Sequence, residues 1–201
     1  PAACTMNAFW SAMGYPSEEA AAQMPEGAER KMRSVQMSQV FPQMTAKETF
    51  ELMFGQDLIG AYQESQGNKD VEVTDWQDVS TDDDKAVGIC RMQRTLKYRV
   101  PMNVPLPKLM ADQMGMVDTI AVNTEYVEIK DGVYTVTAQC ELSGPPMCNK
   151  MDIKPTFIVQ ADPAEPANGV CDCDVRFAFN VWAVASMVES TMEAGVKKGF
   201  E

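Results

Sequence analysis

The chain has 201 residues, is 45% hydrophobic and carries 17 Lys and Arg against 29 Asp and Glu, for a formal net charge of −12. This acidic balance argues against binding to the phosphate backbone of a nucleic acid, and the absence of histidine excludes Ser-His and Cys-His nucleophile pairs. The length suits one large domain, or one domain with an appendage, and is enough to bury a core without disulfide bonds.

The chain is predicted to begin with an appendage, residues 1–33, which holds one short helix in SEEAAAQM between helix-breaking Pro and Gly residues. Residues 34–201 are predicted to form the main domain. Its first element is a strand in SVQMSQVF, where apolar and polar residues alternate. A helix follows in TAKETFELMF, because Thr45 with Glu48 three residues later matches a capping box.

The middle of the chain is predicted to consist of successive strands. DVEVTDW predicts a strand that ends at Trp76, and the acidic STDDDK after it is predicted to be a solvated turn rather than a cation site. Alternation then recurs in GICRMQRTLKYRV, TIAVNTEYVEI, GVYTVTAQCEL, KPTFIVQA and VCDCDVRFAFNV. Asp131-Gly132, between the second and third of these, is a strong hairpin signal. Consecutive strands joined by short turns indicate an antiparallel meander.

The last element is predicted to be an amphipathic helix of about 18 residues, because apolar residues from Val181 to Phe200 recur every three or four positions. An antiparallel sheet with one apolar face needs cover, and this helix can provide it. The predicted fold class is α+β in a helix-grip arrangement, with a curved antiparallel sheet of about six or seven strands wrapped round the long C-terminal helix. Such an arrangement easily leaves an apolar cavity between sheet and helix.

The six cysteines are predicted to be reduced, as in a cytosolic protein, because the chain is long and apolar enough to fold without bridges. Cys140 and Cys148 form the pair to test first for a disulfide bond. Cys171 and Cys173 face the same way on a strand, but zinc needs four ligands. Two buried thiols on the concave face are therefore favoured over a metal site, and no metal is predicted.

Arg94 interrupts an otherwise apolar strand face, and a buried Arg needs a partner. Two interpretations stay open. One is a structural ion pair with an acidic neighbour such as Glu125 or Glu128; the other is a polar contact to the head of a mostly apolar ligand. The 16 methionines leave a similar choice, since Met either fills a core or lines an adaptable apolar cavity.

The segment LKYRVPMNVPLPK ends a strand with three prolines, which stop ladder pairing, and yet it stays apolar. Such a segment either acts as a lid at the rim of a cavity, touching a bilayer during loading, or packs on the body of the domain. The residues predicted for the lid are Met102, Val104, Leu106 and Met110.

From about Val35 to Phe200 the chain resembles the VASt domain, a START-like lipid-binding family found in sterol transporters of the Aster and Lam type. The resemblance rests on the order of TAKETFELMFGQD, DVEVTDWQD, LKYRVPMNVPLPK and VEIKDGVYTVTAQCELSGPPM, followed by the terminal helix. It implies a helix-grip fold, a sterol or similar lipid in the cavity, and no catalysis.

These patterns and the resemblance predict a monomeric protein that binds a sterol or similar apolar lipid and carries or presents it between membranes. The expected partners are that lipid and, transiently, a membrane; no nucleic acid and no cofactor is expected. The expected location is the cytoplasm, either free or as a cytosol-facing domain of a membrane-associated protein. The residues predicted to line the cavity are Met92, Arg94, Leu96, Tyr98, Val122, Tyr126, Tyr134, Val136, Cys140, Phe157, Cys173, Val175, Phe177, Val188 and Met192.

Two alternatives remain at this point. START-like folds also host enzymes of the cyclase or small-molecule lyase type, and here Arg94 and the tyrosines would be the candidate acid–base groups. The other alternative is an interaction module whose core is filled and holds no ligand.

Overall fold

The computed structural model describes residue 20 and residues 32–101, 118–144, 148–181 and 185–200. The α-helices whose bounds lie in these ranges are α1 (Ala46–Phe54), α2 (Gln56–Ser65), α3 (Asp82–Ala86) and α4 (Ala185–Phe200), and Cys148–Lys150 forms a 3-10 helix. The strands are β1 (Arg33–Phe41), β2 (Lys69–Val73), β3 (Gln77–Asp78), β4 (Cys90–Val100), β5 (Thr119–Lys130), β6 (Val133–Ser143), β7 (Met151–Ala161) and β8 (Gly169–Phe179).

The strands form one antiparallel sheet in the order β1-β8-β7-β6-β5-β4-β2, with β3 paired to β4. The predicted antiparallel meander is confirmed for β4 to β8, each of which pairs with the next. The sheet has eight strands rather than six or seven. The additional strand is β3, which is two residues long and therefore too short to produce a recognisable alternation.

Two local predictions are confirmed by the backbone. Thr45 caps α1, its side chain accepting from the Glu48 amide while the Glu48 carboxylate accepts from the Thr45 amide. Asp131 and Gly132 both have positive φ, at 52° and 78°, and join β5 to β6 with Lys130 opposite Val133. Positive φ at both central residues is what a tight hairpin with right-handed strand twist requires.

The acidic STDDDK segment was predicted to be a turn, and this prediction is wrong: most of the segment belongs to the short helix α3. Thr81 caps it by accepting from the Asp84 amide, and the Asp84 side chain accepts from the Thr81 amide, so Asp replaces the usual Glu of a capping box. The positive end of the helix dipole also stabilises the three carboxylates in the first turn of α3. This local chemistry outweighs the mutual repulsion of the acidic side chains.

One face of the sheet is buried, and we call it the inner face. It carries Arg94 on β4, Val127 on β5, Val136 on β6, Phe157 on β7 and Cys173 on β8, together with every second residue from each of these. Cross-strand pairing places all of them on the same side. The other side, which carries polar and half-exposed residues, is the outer face.

Helices α1 and α4 both cover the inner face. Phe50 and Phe54, four residues apart on α1, pack against Val127, Val136 and Val159. The helix α4 also packs on the inner face, but nearer the β1 edge of the sheet, on β1 and β8. There Met192 and Val196 contact a cluster around Phe177. A sheet wrapped along the length of α4 is not shown by the described residues, in contrast to the predicted helix-grip arrangement.

Thr49 fixes the approach of α1 to the sheet. Its side chain is fully buried, and it lies against Gly169 at the start of β8. A Cβ at residue 169 would clash with the Thr49 Oγ1 and crowd the Met44 carbonyl oxygen. Glycine is therefore required at this position for close packing between helix and strand, rather than for its backbone freedom.

Candidate functional site

The inner face carries one buried ion pair on β4 and β5. Arg94 is 2% exposed, and its Nε donates to Oε2 of Glu125 at 2.6 Å. Its Nη1 donates to the Phe54 carbonyl oxygen at 2.7 Å, and its guanidinium lies 4.3 Å from the centre of the Trp76 ring. The structural ion pair predicted for Arg94 is thus confirmed with Glu125. Glu128 instead pairs with Arg91 on the outer face, at 2.6 Å.

The third nitrogen of this guanidinium is also enclosed by the protein. Arg94 Nη2 is buried and makes no hydrogen bond within the described part of the chain. A buried donor left without a partner costs about 1–3 kcal/mol. Arg94 is thus held in place by two of its nitrogens and presents the third for a further contact.

A buried acceptor without a partner lies on the neighbouring strand. Asn123 Oδ1 makes no hydrogen bond to any residue that the structure describes, while its Nδ2 donates to the Tyr98 hydroxyl oxygen at 3.4 Å. Leu96 stands opposite Asn123 and Arg94 opposite Glu125, so Asn123 and Arg94 are diagonal neighbours on the inner face. Such neighbours have Cα atoms about 7–8 Å apart. A buried donor and a buried acceptor therefore belong to neighbouring residues of the same face.

Tyr98 completes this polar group. Burial raises the pKa of its phenol above the usual value, and the hydrogen bond from Asn123 opposes that shift in part. The phenol is therefore neutral at physiological pH and can both donate and accept a hydrogen bond. We call Tyr98, Asn123, Arg94 and Glu125 the inner polar group.

The remaining inner-face residues of the prediction are apolar or weakly polar. The structure places on this face Met92, Leu96, Tyr134, Val136, Cys140, Phe157, Cys173, Val175 and Phe177. Tyr134 stacks on Phe50 with ring centres 4.7 Å apart, so its ring is part of the contact with α1. Phe157 packs against both the cluster under α1 and the cluster under α4.

Two residues predicted for the cavity point the other way. Val122 stands opposite Lys97 and Glu141, and Tyr126 stands opposite Gln93 and Thr137, all on the outer face. The prediction followed the apolar series Ile120, Val122 and Tyr126, which lies on the outer face. The inner positions of β5 are the residues between them, and they include Ala121, Asn123 and Glu125. A slip of one residue moves every side chain to the opposite face.

Asn123 is not among the residues predicted for the site, and Trp76 is predicted only as the end of a strand. Asn123 could have been found from Glu125, since residues two apart on a strand share a face and Glu125 had been named as a partner of Arg94. Trp76 lies between β2 and β3, where alternation gives no guide.

On α4, Met192 packs against the inner-face cluster of β1 and β8, and Val188 is half-buried. Arg33 at the start of β1 holds this helix by polar contacts, with its Nε 3.2 Å from Glu189 and its Nη1 3.4 Å from Glu193. Glu189 also accepts from the Phe179 amide at 2.9 Å. The predicted lid residues, Met102, Val104, Leu106 and Met110, lie outside the described residues.

Three thiols of the inner face, those of Cys140, Cys171 and Cys173, are not activated. Burial raises the pKa of Cys140 to about 11 and the pKa of Cys171 and Cys173 to about 12 each, with a smaller contribution from adjacent acidic residues. All three are therefore protonated at neutral pH and are poor nucleophiles. Cys171 and Cys173 are buried on the inner face, as predicted. Cys140 carries a free thiol, so the bridge to Cys148 is not formed in the structure.

None of the helices that the structure describes is both long and apolar enough to span a membrane.

Comparison with known proteins assigns a family to this architecture. The family model described as VAD1 Analog of StAR-related lipid transfer domain (VASt) matches residues 36–199, which is most of the chain. No curated protein gives a significant match. The matched region contains every strand from β2 to β8, the inner polar group and most of α4, and it agrees with the resemblance found in the sequence.

Proposed function

The chain belongs to the VASt family of lipid-transfer-domain analogues, and from this premise we propose that it binds a sterol or a similar neutral lipid alcohol and carries it between membranes. The observation that carries the proposal is a pair of buried polar atoms, Arg94 Nη2 and Asn123 Oδ1, that have no hydrogen-bond partner among the described residues and lie on a mostly apolar face. A hydroxyl group accepts one hydrogen bond and donates another, so a single lipid hydroxyl could satisfy both.

The charge of the inner polar group favours a neutral head group. Arg94 is already neutralised by Glu125 at 2.6 Å. A carboxylate or phosphate placed at Arg94 Nη2 would lie near the buried Glu125 carboxylate, and like charges in a site of low polarity repel strongly. A fatty acid or phospholipid is thus expected to bind more weakly than a lipid that ends in a hydroxyl group.

The apolar residues around the polar group supply the driving force. Met92 on the inner face and Met192 on α4 are only partly buried by the chain itself, and their side chains are of the kind that packs against a hydrocarbon ring system. Burying about 400 Å² of apolar lipid surface yields about 10 kcal/mol at about 25 cal/mol per Å². A contribution of this size lets a protein site compete with the interior of a bilayer for the lipid.

We propose that the helix-grip arrangement exists in full, with α4 forming one wall of the lipid site. Support comes from the contacts of Met192 and Val196 with the inner face, and from the ion pairs that join Arg33 to Glu189 and Glu193. In this arrangement one chain holds one lipid, and the protein acts as a monomer.

We propose carriage rather than catalysis, and a cytosol-facing location. Arg94 is committed to Glu125, burial raises the pKa of Tyr98, and the thiols of Cys140, Cys171 and Cys173 are protonated, so these groups are suited to binding rather than to proton transfer. The free thiols of Cys90, Cys140, Cys171 and Cys173 agree with a reducing compartment.

Native mass spectrometry of the purified protein tests this function. The expected result is a co-purified or added neutral sterol at one molecule per chain, displaced poorly by palmitate. A sterol that binds no better than palmitate would contradict the head-group assignment. A protein that takes up neither lipid from vesicles would contradict the function and would favour a filled core.

A further inference from the structure

The two edges of the sheet are protected to very different degrees. At one edge, β2 is five residues long, carries Lys69, Asp70 and Glu72, and is interrupted by a register shift. The side chain of Gln56 also donates to the Val73 carbonyl oxygen at 3.0 Å. Short length, charge and bulges are the devices by which proteins prevent an edge from pairing with another strand.

Among its described residues, the opposite edge has none of these devices beyond a single charge at its first position. The strand β1 is nine residues long and pairs with β8 in an unbroken register from Arg33 to Phe41. Arg33 at its first position is its only charged residue, and it contains neither Pro nor Lys. Ser34, Gln36 and Ser38 are exposed. Among the described residues no strand pairs with the other side of β1, so its backbone groups there are available for a further strand.

A surface depression of about 420 Å³ adjoins this edge on the outer face. It crosses β1, β8 and β7, and its outer-face lining consists of Gln36, Ser38, Thr156, Ile158, Asp172 and Asp174. A strand added beside β1 would lie about 4.7–4.9 Å away, with alternate side chains directed over this depression.

The two carboxylates of the depression differ in their partners. Asp174 accepts from Ser34 at 2.6 Å and from Arg176 at 2.8 Å, and these hydrogen bonds lower its pKa. Asp172 stands between Ser38 and Ile158 and makes no ion pair within the ranges that the structure describes. Only the small Ser38 side chain separates Asp172 from the open edge.

We propose that β1 binds an extended peptide of a partner protein by strand addition, with a Lys or Arg of that peptide reaching across Ser38 to Asp172. The backbone edge supplies the hydrogen bonds, and the carboxylate selects for a basic side chain. A basic peptide is also favoured by the net charge of −12.

A second copy of this chain fits the edge less well. The only cation that β1 could offer is Arg33, and its guanidinium is held on the inner face by Glu189 and Glu193. Two copies would in addition bring together two chains that each carry a strong negative charge. The chemistry of the edge therefore favours a basic partner over self-association.

The experiment uses a fluorescein-labelled, acetylated and amidated octapeptide of alternating Val and Lys. Its binding to the full chain is followed by fluorescence anisotropy, beside a Val-Glu octapeptide and a Val-Lys octapeptide in which one central Val is replaced by Pro. The variant D172N is compared with D82N, which removes the same charge from α3, far along the chain from β1. Hydrogen exchange locates the bound peptide.

The expected result is saturable binding of the Val-Lys peptide, with added protection of β1 amides. We expect D172N to weaken it about fivefold, as one favourable exposed ion pair would, with D82N close to the parent. The Val-Glu and Pro-containing peptides should bind poorly.

Four results would each overturn the proposal. They are equal weakening by D172N and D82N, equal binding of the Pro peptide, protection confined to other strands, and no saturable binding. A dimer that sedimentation shows to depend on β1 would overturn the assignment of the partner. All of these outcomes are independent of lipid uptake.

Discussion

The Nε of Arg94 donates to the Glu125 carboxylate across 2.6 Å, and both side chains are almost completely buried, at 1% and 9% exposure. The pair joins β4 to β5, and through the Phe54 carbonyl oxygen it also joins the sheet to the end of α1. A guanidinium at the C-terminal end of a helix is stabilised by the helix dipole as well. One side chain thus holds the helix, the sheet and the polar end of the proposed lipid site together.

Removing the acid of this pair should strongly destabilise the protein. Glu125→Ala leaves a buried guanidinium without its counter-ion, which typically costs about 3–5 kcal/mol of unfolding free energy. Urea unfolding followed by circular dichroism measures the loss. Glu128→Ala is the matched control, because the pair of Glu128 with Arg91 is exposed and screened by solvent. Equal losses for the two variants would contradict the structural role of the buried pair.

Replacing Asn123 should alter lipid selectivity more than stability. Asn123→Leu removes the acceptor for a lipid hydroxyl, so affinity for a 3-hydroxysterol should fall about tenfold, equivalent to one hydrogen bond of about 1.4 kcal/mol. Affinity for the matching 3-ketosterol, which cannot donate to Asn123, should change little.

Equilibrium binding to a fluorescent sterol, with the ketone as competitor, measures this difference. Thr124→Val is the control, since Thr124 is the next residue on β5 and faces the outer side. If the hydroxyl and ketone forms lose affinity equally in Asn123→Leu, the residue does not contact the head group.

A methyl group at residue 169 should separate α1 from the sheet. Gly169→Ala drives a Cβ into the Thr49 hydroxyl, and overpacking of this kind costs about 1–3 kcal/mol. The double variant Gly169→Ala/Thr49→Ala should recover part of the loss, because the clashing oxygen is gone. Thermal unfolding of the four proteins in this double-mutant cycle measures the coupling.

Gly60→Ala on α2 serves as the control for this cycle. A Cβ there meets no atom within 4 Å, so the substitution should be neutral or stabilising. A Gly169→Ala protein as stable as the parent would show that α1 does not approach β8 as closely as described.

The Asp84 carboxylate should make stability depend on pH in the acid range. Hydrogen bonds from Arg91 and then Thr81 lower its pKa in the folded state to about 2, from an ordinary value of 3.8. Because the folded pKa is depressed, the stabilisation is present above the unfolded value and is lost as pH falls towards about 2.

The comparison with Asp84→Asn isolates this effect. Between pH 5 and pH 2, about the range set by the two pKa values, the urea midpoint of the parent should fall further than that of the variant. Parallel pH profiles for the two proteins would contradict the hydrogen bonds assigned to Asp84.

Local features of the fold could be predicted because they depend on a few adjacent residues. The capping box of Thr45 with Glu48 and the hairpin at Asp131-Gly132 are set by short-range hydrogen bonding and by allowed φ values. The helix α3 was missed although it follows the same rule, because Asp84 takes the place of the expected Glu.

The candidate site was predicted in part. Most inner-face residues were found, because apolar or weakly polar residues occupy alternate positions of β6 and β8 and, apart from Arg94, of β4. Val122 and Tyr126 were placed on the wrong face, since β5 has apolar residues on its outer side and Asn123 and Glu125 on its inner side. Hydrophobicity alone cannot assign a face when the buried side carries the polar groups.

The sequence by itself determined that this protein forms successive antiparallel strands and that Arg94 needs a partner, because residue periodicity and the cost of a buried charge are properties of the chain. Only the tertiary structure decided which acid that partner is. Glu125 and Glu128 lie three residues apart on one strand and therefore face opposite sides of the sheet. The pairing of β4 with β5 places Glu125 on the side of Arg94, and no pattern within either strand specifies that register.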